Sequence, residues 1–236
     1  MIPLSAPSLK GNELKYVQEC LDTEWISSVG HYVDQFEHDI TAYLGARYAI
    51  ACVNGTAALH ISLLLAGVQP KDEVIVPTVT FIAPVNTVKY LGAQPVFMDC
   101  DSHCTLSIDK LKDFFETECE FVQGITVNRK TGKRIAAIIP VHVFGTPVNM
   151  DPLLELAEKF NITVIEDATE SLGSDYKGRK AGTLGKLGCL SFNGNKIITT
   201  GAGGMIVTDD ENMAKRARFL TTQAKEEGME YIHNEV

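Results

Sequence analysis

The sequence lacks any apolar run of the roughly 20 residues that a membrane-spanning helix requires. It also lacks a basic excess, because 21 lysines and arginines stand against 30 aspartates and glutamates, a formal net charge of −9. This balance disfavours sequence-independent binding to nucleic acid or to an anionic membrane, although a local basic site could still hold phosphate. The first residues show no basic stretch followed by an apolar run, so no targeting signal is predicted. We therefore expect a cytoplasmic protein with no nucleic-acid or membrane partner.

The sequence lacks the cysteine spacing of a disulfide framework and of a metal centre. The six cysteines are scattered along the chain, as is typical of a reduced protein. Cys100, His103 and Cys104 resemble half of a zinc site, but no second pair with ligand spacing appears, so no metal is predicted. The glycines at 201–204 lack the order strand, G-x-G-x-x-G, helix. A tight turn is therefore favoured over a Rossmann dinucleotide site.

What the sequence does contain is an alternation of short apolar runs and helical stretches. Its 236 residues suffice for one large domain. Helices are predicted at 12–24, 33–44, 55–66, 82–91, 109–119, 152–160 and about 210–224. Strands are predicted at 48–53, 73–76, 95–98, 135–141, 163–165, 189–192 and 205–207, the last two in a glycine-rich region that could be a hairpin-rich edge. This order indicates an α/β fold with a mostly parallel sheet and helices on both faces.

Several of these strands end in polar residues, where ligands bind in open α/β sheets. Residues 54–57 follow the first strand and open a helix, so their amides could hold a phosphate that Gly55 lets approach closely. The alternative is simple capping of that helix by Asn54 or Thr56. Asp167 follows the strand at 163–165, where a carboxylate can cap a helix, bind a metal or pair with a cationic ligand.

Three more residues at strand ends have an ordinary and a functional interpretation. Lys196 lies just past a strand in the segment 191–196, but most lysines are surface charges. Phe81 is either a core residue or a stacking platform. His142 is either a site residue or a hydrogen-bonded histidine at a strand end.

Taken together, these groups are those that pyridoxal phosphate requires. Its phosphate needs N–H and hydroxyl donors, and its ring nitrogen needs an anion in order to stay protonated. Its aldehyde needs a lysine amine as covalent partner, and a free lysine, with a pKa of about 10.4, must first lose its proton. The sequence therefore predicts one site that holds a helix start, a carboxylate, an aromatic ring and a lysine. Asn54, Phe81, Asp167, Ser191 and Lys196 should surround one cleft at the carboxyl edge of the sheet.

At these residues the sequence resembles the DegT-type family of sugar-nucleotide aminotransferases, which share the aspartate-aminotransferase (fold type I) architecture. The resemblance covers essentially the whole chain, in the segments WISSVG (25–30), NGTAALH (54–60), DEVIVP (72–77), TFIA (80–83), IEDA (165–168) and SFNGNKIITTG (191–201). The last segment, with residues 170–173 and 222–224, looks closest to the LegC-type and UDP-N-acetylbacillosamine transaminase branch. GDP-perosamine synthases carry a similar lysine segment, so the resemblance implies the reaction more strongly than the nucleotide.

The resemblance implies a role for each matching residue. Lys196 is the catalytic lysine that binds the cofactor, Asp167 pairs with the ring nitrogen, Phe81 stacks on the ring and Glu170 contacts the ring hydroxyl. The remaining cofactor contacts fall on Gly55, Thr56, Ala57, Ser191 and Asn193. Some relatives are dehydratases with histidine at the lysine position, so Lys196 favours an aminotransferase.

The implied reaction transfers an amino group, usually from glutamate, to C4 of a nucleotide-linked 4-keto-6-deoxy sugar. The sugar is expected to be a UDP-linked N-acetylhexosamine, in surface-polysaccharide or nonulosonic-acid and bacillosamine biosynthesis. A GDP-perosamine-synthase-like enzyme is the alternative within the family.

The resemblance also has a consequence for domain organisation. Family members normally continue past a segment like 230–236 into a loop and a smaller C-terminal domain that help to complete the site of a homodimer. We therefore expect residues 1–236 to be the cofactor-binding large domain, with an N-terminal helical segment at about 1–45 and the small C-terminal domain absent. A competing hypothesis is a truncated domain that binds cofactor or sugar nucleotide without turnover.

Overall fold

The computed structural model describes Ile2 and residues 5–224, which contain seven α-helices and eleven β-strands. In chain order they are α1 (Glu13–Asp22), α2 (His31–Leu44), β1 (Tyr48–Cys52), α3 (Gly55–Leu65), β2 (Glu73–Pro77), α4 (Ile82–Tyr90), β3 (Gln94–Met98), α5 (Ile108–Glu118), β4 (Cys119–Val122), β5 (Ile125–Asn128), β6 (Ile135–Ile138), α6 (Met150–Lys159), β7 (Thr163–Asp167), β8 (Asp175–Tyr176), β9 (Arg179–Lys180), β10 (Leu187–Ser191), β11 (Gly204–Thr208) and α7 (Glu211–Thr221). A short 3₁₀ turn spans Val143–Gly145.

Seven strands form one sheet in the order β1-β11-β10-β7-β6-β2-β3. Every neighbouring pair is parallel except the two that involve β11, which runs antiparallel to β1 and to β10. The other six strands therefore end at one common edge, the carboxyl edge, and β11 begins there. Strands such as β2, which is buried along its whole length, have the continuous apolar character of strands covered on both faces.

Helices cover both faces of this sheet, as the sequence predicts. Alternation along β10 shows the two sides, since Cys189 packs in the core formed with α3, α4 and α7, and Leu190 packs in the core formed with α2. Helices α5 and α6 share a further core with Val164, which points away from the side that Ile165 faces. The predicted α/β class with a mostly parallel central sheet is confirmed.

The structure differs from the predicted elements in places that have clear local causes. Strand β6 ends at Ile138 instead of continuing to Val141, because Pro140 has no amide hydrogen to donate to a sheet ladder. The hairpin of β4 and β5 was not predicted, although its turn contains Gln123 and Gly124 with φ angles of 52° and 81°. The glycine-rich region does not form an edge of the main sheet. Instead, β11 inserts between β1 and β10, which leaves β1 at the edge.

The ends of the helices follow their capping signals. Helix α2 ends at Gly45, whose φ of 72° is left-handed, as expected for a glycine after a helix. Helix α7 ends at Thr221, before the predicted 224, because Gln223 and Ala224 have left-handed φ angles of 67° and 51°. The segment 230–236, at which the sequence reaches its expected domain boundary, lies outside the described residues.

Helix α1 exists as predicted, but its apolar stripe is exposed. Leu14, Val17 and Leu21 recur at helical spacing and are 79%, 56% and 57% exposed. None of the ten residues of α1 is buried. Within the part of the chain that the structure describes, no helix is both long enough and apolar enough to cross a membrane.

Candidate active site

The ends of β1, β7 and β10 bring the predicted site residues to one edge of the sheet. Asp167 is the last residue of β7 and pairs in register with Cys189 of β10. Ser191, the last residue of β10, lies opposite Gly204 of β11, which in turn lies opposite Cys52 at the end of β1. The turn that follows β1 therefore starts at the same edge as Asp167 and Ser191.

Gly55 brings the start of α3 into direct contact with this edge. A Cβ atom on Gly55 would lie 2.9 Å from the Cβ of Ser191 and 3.1 Å from the Cγ2 of Thr169. Because real Cβ atoms are not found this close to a neighbour, only glycine allows this approach. The Gly55 backbone is thus packed between the residue that ends β10 and the second residue after Asp167.

The first turn of α3 shows the capping that was the alternative to phosphate binding. The side-chain Oδ1 of Asn54 accepts a hydrogen bond from the amide of Ala57 at 2.8 Å. Thr56 and Ala57 are only partly buried, and the positive end of the helix dipole lies here. A phosphate that used the Ala57 amide would therefore have to share it with Asn54.

Asp167 is a buried carboxylate, 3% exposed. Burial raises its pKa above the ordinary value, because the charged form loses its hydration. Hydrogen bonds from Thr169, including one from its amide at 3.1 Å, and the nearby charge of Lys196 act in the opposite direction. Asp167 and Lys196 are thus close enough to interact electrostatically.

Lys196 lies in a turn beyond β10, and its side chain is only 18% exposed. Its amide donates to the carbonyl of Asn193 at 3.0 Å, which shapes the turn. Its Nζ is 3.8 Å from Oε1 of Glu170, a loose ion pair. The surface-charge interpretation of Lys196 is therefore wrong for this structure.

Two other predicted contacts have more exposed side chains. Phe81 is 72% exposed, so its interpretation as a core residue is wrong, and its ring stands after β2 at the carboxyl edge. The side chain of Asn193 is exposed and donates to Oδ1 of Asn195 at 2.9 Å. Asn193 therefore contributes to the shape of the lysine turn, and in this structure its amide group is engaged by a neighbour.

The structure agrees with the interpretation of His142 as a hydrogen-bonded histidine at a strand end. It is fully buried, and its two ring nitrogens lie 2.8 Å from Oε2 of Glu166 and 3.1 Å from the amide of Val148. For Cys100, His103 and Cys104, the described residues contain no group of three or more His, Cys, Asp or Glu side chains arranged to hold a metal ion.

Sequence reasoning missed Phe144, which has an unusual backbone conformation next to the site. Its φ of 52° is left-handed, which is rare for an aromatic residue, and its side chain is 87% exposed. Its amide donates to Oε2 of Glu170 at 2.9 Å, so this strained turn holds the carboxylate that faces Lys196. Strained conformations of this kind are concentrated at functional sites.

Replacing Phe144 with glycine should stabilise the cofactor-free protein. Glycine adopts a left-handed φ without strain and keeps the amide that Glu170 requires, so we expect the free energy of unfolding in urea to rise by about 1 kcal/mol. Phe121 on β4 is the matched control, since it is also exposed but has an ordinary backbone. Phe121→Gly should lower the free energy of unfolding, and an equal loss in both variants would contradict the strain.

Two buried hydroxyls at this edge have no hydrogen-bond partner within the described residues, namely Thr80 Oγ1 and Ser171 Oγ. Thr80 directly precedes Phe81, and Ser171 directly follows Glu170. A buried hydroxyl without a partner is costly, and a bound polar molecule would remove that cost. With a buried anion, a lysine, an exposed ring and the glycine cradle at Gly55, the donor set suits pyridoxal phosphate.

A cavity of about 450 Å³ lies next to Lys196. The N-terminal residues 5–9 and Glu13 form one wall, and Ile197, Ile198 and Thr199 form another. This volume lies within the usual range of small-molecule sites, about 300–1,000 Å³. Lys196 is therefore one of the residues that line a cavity large enough for a small molecule.

Comparison with known proteins agrees with this geometry. Residues 7–236 match the DegT/DnrJ/EryC1/StrS aminotransferase family. GDP-perosamine synthase of Caulobacter vibrioides is 46% identical over 230 residues, which are 98% of this chain and 58% of that protein. The chain therefore spans about three fifths of the length of this curated relative.

Solved structures show the same similarity. An aminotransferase from Psychrobacter cryohalolentis superposes with a TM-score of 0.85 at 31% identity, covering 99% of this chain and 58% of that one. The sugar aminotransferase Spr1654 from Streptococcus pneumoniae, in its PLP form, gives a TM-score of 0.84 at 26% identity, covering 99% and 61%. The chain belongs to the DegT/DnrJ/EryC1/StrS aminotransferase family.

Proposed function

We propose that the protein is a pyridoxal-phosphate-dependent aminotransferase that acts on a nucleotide-linked 4-keto-6-deoxy sugar, with glutamate as amino donor. The observation that supports this most is the buried Asp167 within electrostatic reach of Lys196, at the carboxyl edge of the sheet in a chain of this family. The aminotransferases of the family depend on this cofactor.

Each proposed catalytic residue has a chemical reason for its place. Lys196 would hold the cofactor through its amine and would act as the base that moves a proton during amino transfer. Asp167 would keep the cofactor's ring nitrogen protonated, and the positive charge there would offset the cost of keeping this carboxylate buried and ionised. When bound, the cofactor supplies an electron-withdrawing ring that stabilises negative charge next to the transferred nitrogen.

The other proposed cofactor contacts bind and orient. Phe81 offers an exposed ring for stacking, and Glu170, whose carboxylate accepts from the Phe144 amide, would contact the ring hydroxyl. The phosphate would lie at the start of α3, where the helix dipole and hydroxyl groups favour an anion. The residues proposed to hold it are Gly55, Thr56, Ala57 and Ser191, and Asn193 would contact the cofactor from the lysine turn.

The nucleotide has two candidates with separate support. The 46% identity to a GDP-perosamine synthase favours a GDP-linked sugar. The lysine segment and residues 170–173 resemble the UDP-N-acetylbacillosamine transaminase branch, which favours a UDP-linked N-acetylhexosamine. In either case we propose a role in the biosynthesis of a surface polysaccharide or a related amino sugar.

We propose that residues 1–236 form the cofactor-binding large domain, that the full-length protein carries a smaller C-terminal domain, and that it is a homodimer. The exposed apolar stripe of α1 supports a further contact surface, because contiguous apolar patches are usually covered. All six cysteines are free, which is compatible with a reducing cytoplasmic location. The alternative for this chain is a domain that binds the cofactor without turnover.

An amination assay with a small panel of substrates tests the proposal. The protein is incubated with pyridoxal phosphate, glutamate and either a UDP-linked 4-keto-6-deoxy-N-acetylhexosamine or a GDP-linked 4-keto-6-deoxyhexose, and the product is identified by mass spectrometry. We expect amination of one of the two sugars and none with Lys196→Ala. Cofactor binding without amination of either sugar would favour the non-catalytic alternative for this chain.

A further inference from the structure

A second buried carboxylate directly precedes Asp167. Glu166 is fully buried, and its Oε2 accepts from the amide of Gly182 at 2.9 Å and lies 2.8 Å from Nε2 of His142. Its Oε1 accepts from the amides of Leu184 and Gly185, both at 2.6 Å. Because side chains alternate along a strand, Glu166 points to the face opposite Asp167 and is outside the contacts proposed for the cofactor.

The hydrogen bonds of His142 fix its tautomer. Its Nδ1 lies 3.1 Å from the amide of Val148 and can only accept from that N–H. The proton is therefore on Nε2, which donates to Glu166. The ring is anchored on both sides, and one of the two anchors is the Glu166 carboxylate.

The backbone of His142 is in turn bonded to Asp167. The His142 amide donates to the Asp167 carbonyl at 3.1 Å, and the Asp167 amide donates to the Pro140 carbonyl at 2.9 Å. Both bonds lie beyond Ile138, the last residue of β6, where they form a single parallel bridge between Val141 and Asp167 in place of a continuous strand. The anchored His142 ring therefore adds a side-chain support to the short piece of chain that pairs with Asp167.

The loop 182–185 packs against the residue that follows Asp167. A Cβ on Gly182 would lie 3.1 Å from the Cβ of Ala168, and a Cβ on Gly188 would lie 2.0 Å from the Gly182 carbonyl oxygen. This loop thus packs directly against the residue after Asp167 and against β10. The amides that donate hydrogen bonds to Glu166 belong to this same loop. The Glu166 carboxylate therefore links the loop and the His142 ring to β7.

We infer that His142 and Glu166 are positioning residues that hold the Asp167 carboxylate in place for the cofactor ring nitrogen. The inference rests on the proposed function, because Asp167 needs a fixed position only if it pairs with that nitrogen. Among the described residues, the side-chain hydrogen bonds of His142 and Glu166 go to each other, to Val148 and to the loop 182–185, and none goes to a proposed cofactor contact. Their effect passes through the backbone bonds at Asp167 and through the packing of the loop 182–185.

The Glu166→Gln variant tests the inference. The amide group of glutamine presents an N–H where Glu166 accepts hydrogen bonds, so part of the support is lost. We expect the dissociation constant for pyridoxal phosphate to rise by about tenfold or more. We also expect a shift in the pH midpoint of the bound cofactor's absorbance, a property that loss of stability alone does not change.

Glu73→Gln is the matched control. Glu73 is also a buried glutamate, 4% exposed, with a hydrogen bond from Asn128 at 2.8 Å, but it begins β2 at the opposite edge of the sheet. This variant should lose thermal stability while keeping the cofactor affinity and the pH midpoint of the wild type. Equal affinity and an equal midpoint in Glu166→Gln and wild type would overturn the inference.

Two variants of His142 keep the test decisive if Glu166→Gln does not fold. His142→Gln retains a donor toward Glu166 and should bind the cofactor within about threefold of wild type, whereas His142→Leu should lose about tenfold or more. Equal affinity in both would contradict the positioning role. If the wild-type protein itself shows no cofactor absorbance, the proposed function fails instead, so the two failures are distinguishable.

Discussion

Replacing Lys196 with alanine should abolish the absorbance near ~420 nm that the covalent lysine–cofactor bond produces. The expected loss of amination is about 10³-fold or more, because the same amine is both the covalent partner and the base that moves the proton. The structure supports this role, because the Lys196 side chain is mostly buried, its Nζ lies 3.8 Å from Oε1 of Glu170, and its charge influences Asp167. Absorbance spectra with and without added cofactor, together with the amination assay, measure both effects.

Two further lysine variants separate the covalent role from the charge. Lys196→Arg keeps the positive charge near Asp167 and Glu170 but cannot form the bond, so it should behave like the alanine variant. Lys186→Ala removes a lysine that pairs with Asp210 at 2.8 Å just before β10, at the opposite edge of the sheet. It should retain the absorbance, and a retained band in Lys196→Ala would show that the lysine assignment is wrong.

Replacing Asp167 with asparagine should have two effects of opposite sign. Activity should fall by about 10²–10³-fold, because a neutral amide cannot hold the proton on the ring nitrogen. The cofactor-free protein should become more stable at neutral pH, since burial raises the pKa of Asp167 and ionisation in the folded state is therefore unfavourable. Asparagine can still accept the hydrogen bond from the Thr169 amide.

The sign of this stability effect depends on pH. Because the folded-state pKa of Asp167 is raised, its stabilising contribution to the free energy of unfolding is fully present below the unfolded-state pKa, about 3.9. That contribution is lost as the pH rises through the folded-state pKa. The gain of Asp167→Asn over wild type should therefore be largest at neutral pH and disappear in acid. A penalty of about 1 kcal/mol would correspond to a rise in Tm of about 2–4 °C, measured without cofactor.

Asp72 provides the control for this sign. It pairs with the Arg134 guanidinium, with Nε of Arg134 3.1 Å from its Oδ1, so its negative charge is compensated. Asp72→Asn should lower Tm at neutral pH. A fall in Tm for Asp167→Asn as well would contradict the proposal that the buried Asp167 charge is kept at the expense of stability.

The sequence predicts the strands of the main sheet well, because each is a short apolar run bounded by turn residues. Strand order is not predictable in the same way, since it depends on pairing between distant segments. Periodicity places a strand at 205–207 but does not show that β11 lies between β1 and β10. Local periodicity reports which residues are buried and leaves their strand partners undetermined.

The candidate site is likewise predictable only in part, because some of its features depend on contacts between distant segments. Asp167 and Lys196 could be proposed because they follow predicted strands and match a family pattern. Their surroundings could not, since the contact of Gly55 with Thr169 and Ser191 joins three separate segments. The left-handed Phe144 and the buried pair of His142 and Glu166 were also out of reach, because tertiary contacts determine both.

The measurement that tests the central claim most directly is peptide mass spectrometry of the protein after addition of pyridoxal phosphate and reduction with borohydride. Reduction makes the lysine–cofactor bond permanent, so the modified residue can be located. We predict that the added mass is found on the peptide that contains Lys196, and that the other lysine peptides remain unmodified. Absence of modification, or modification spread over surface lysines with Lys196 unchanged, would contradict the assignment of this edge of the sheet as a cofactor site.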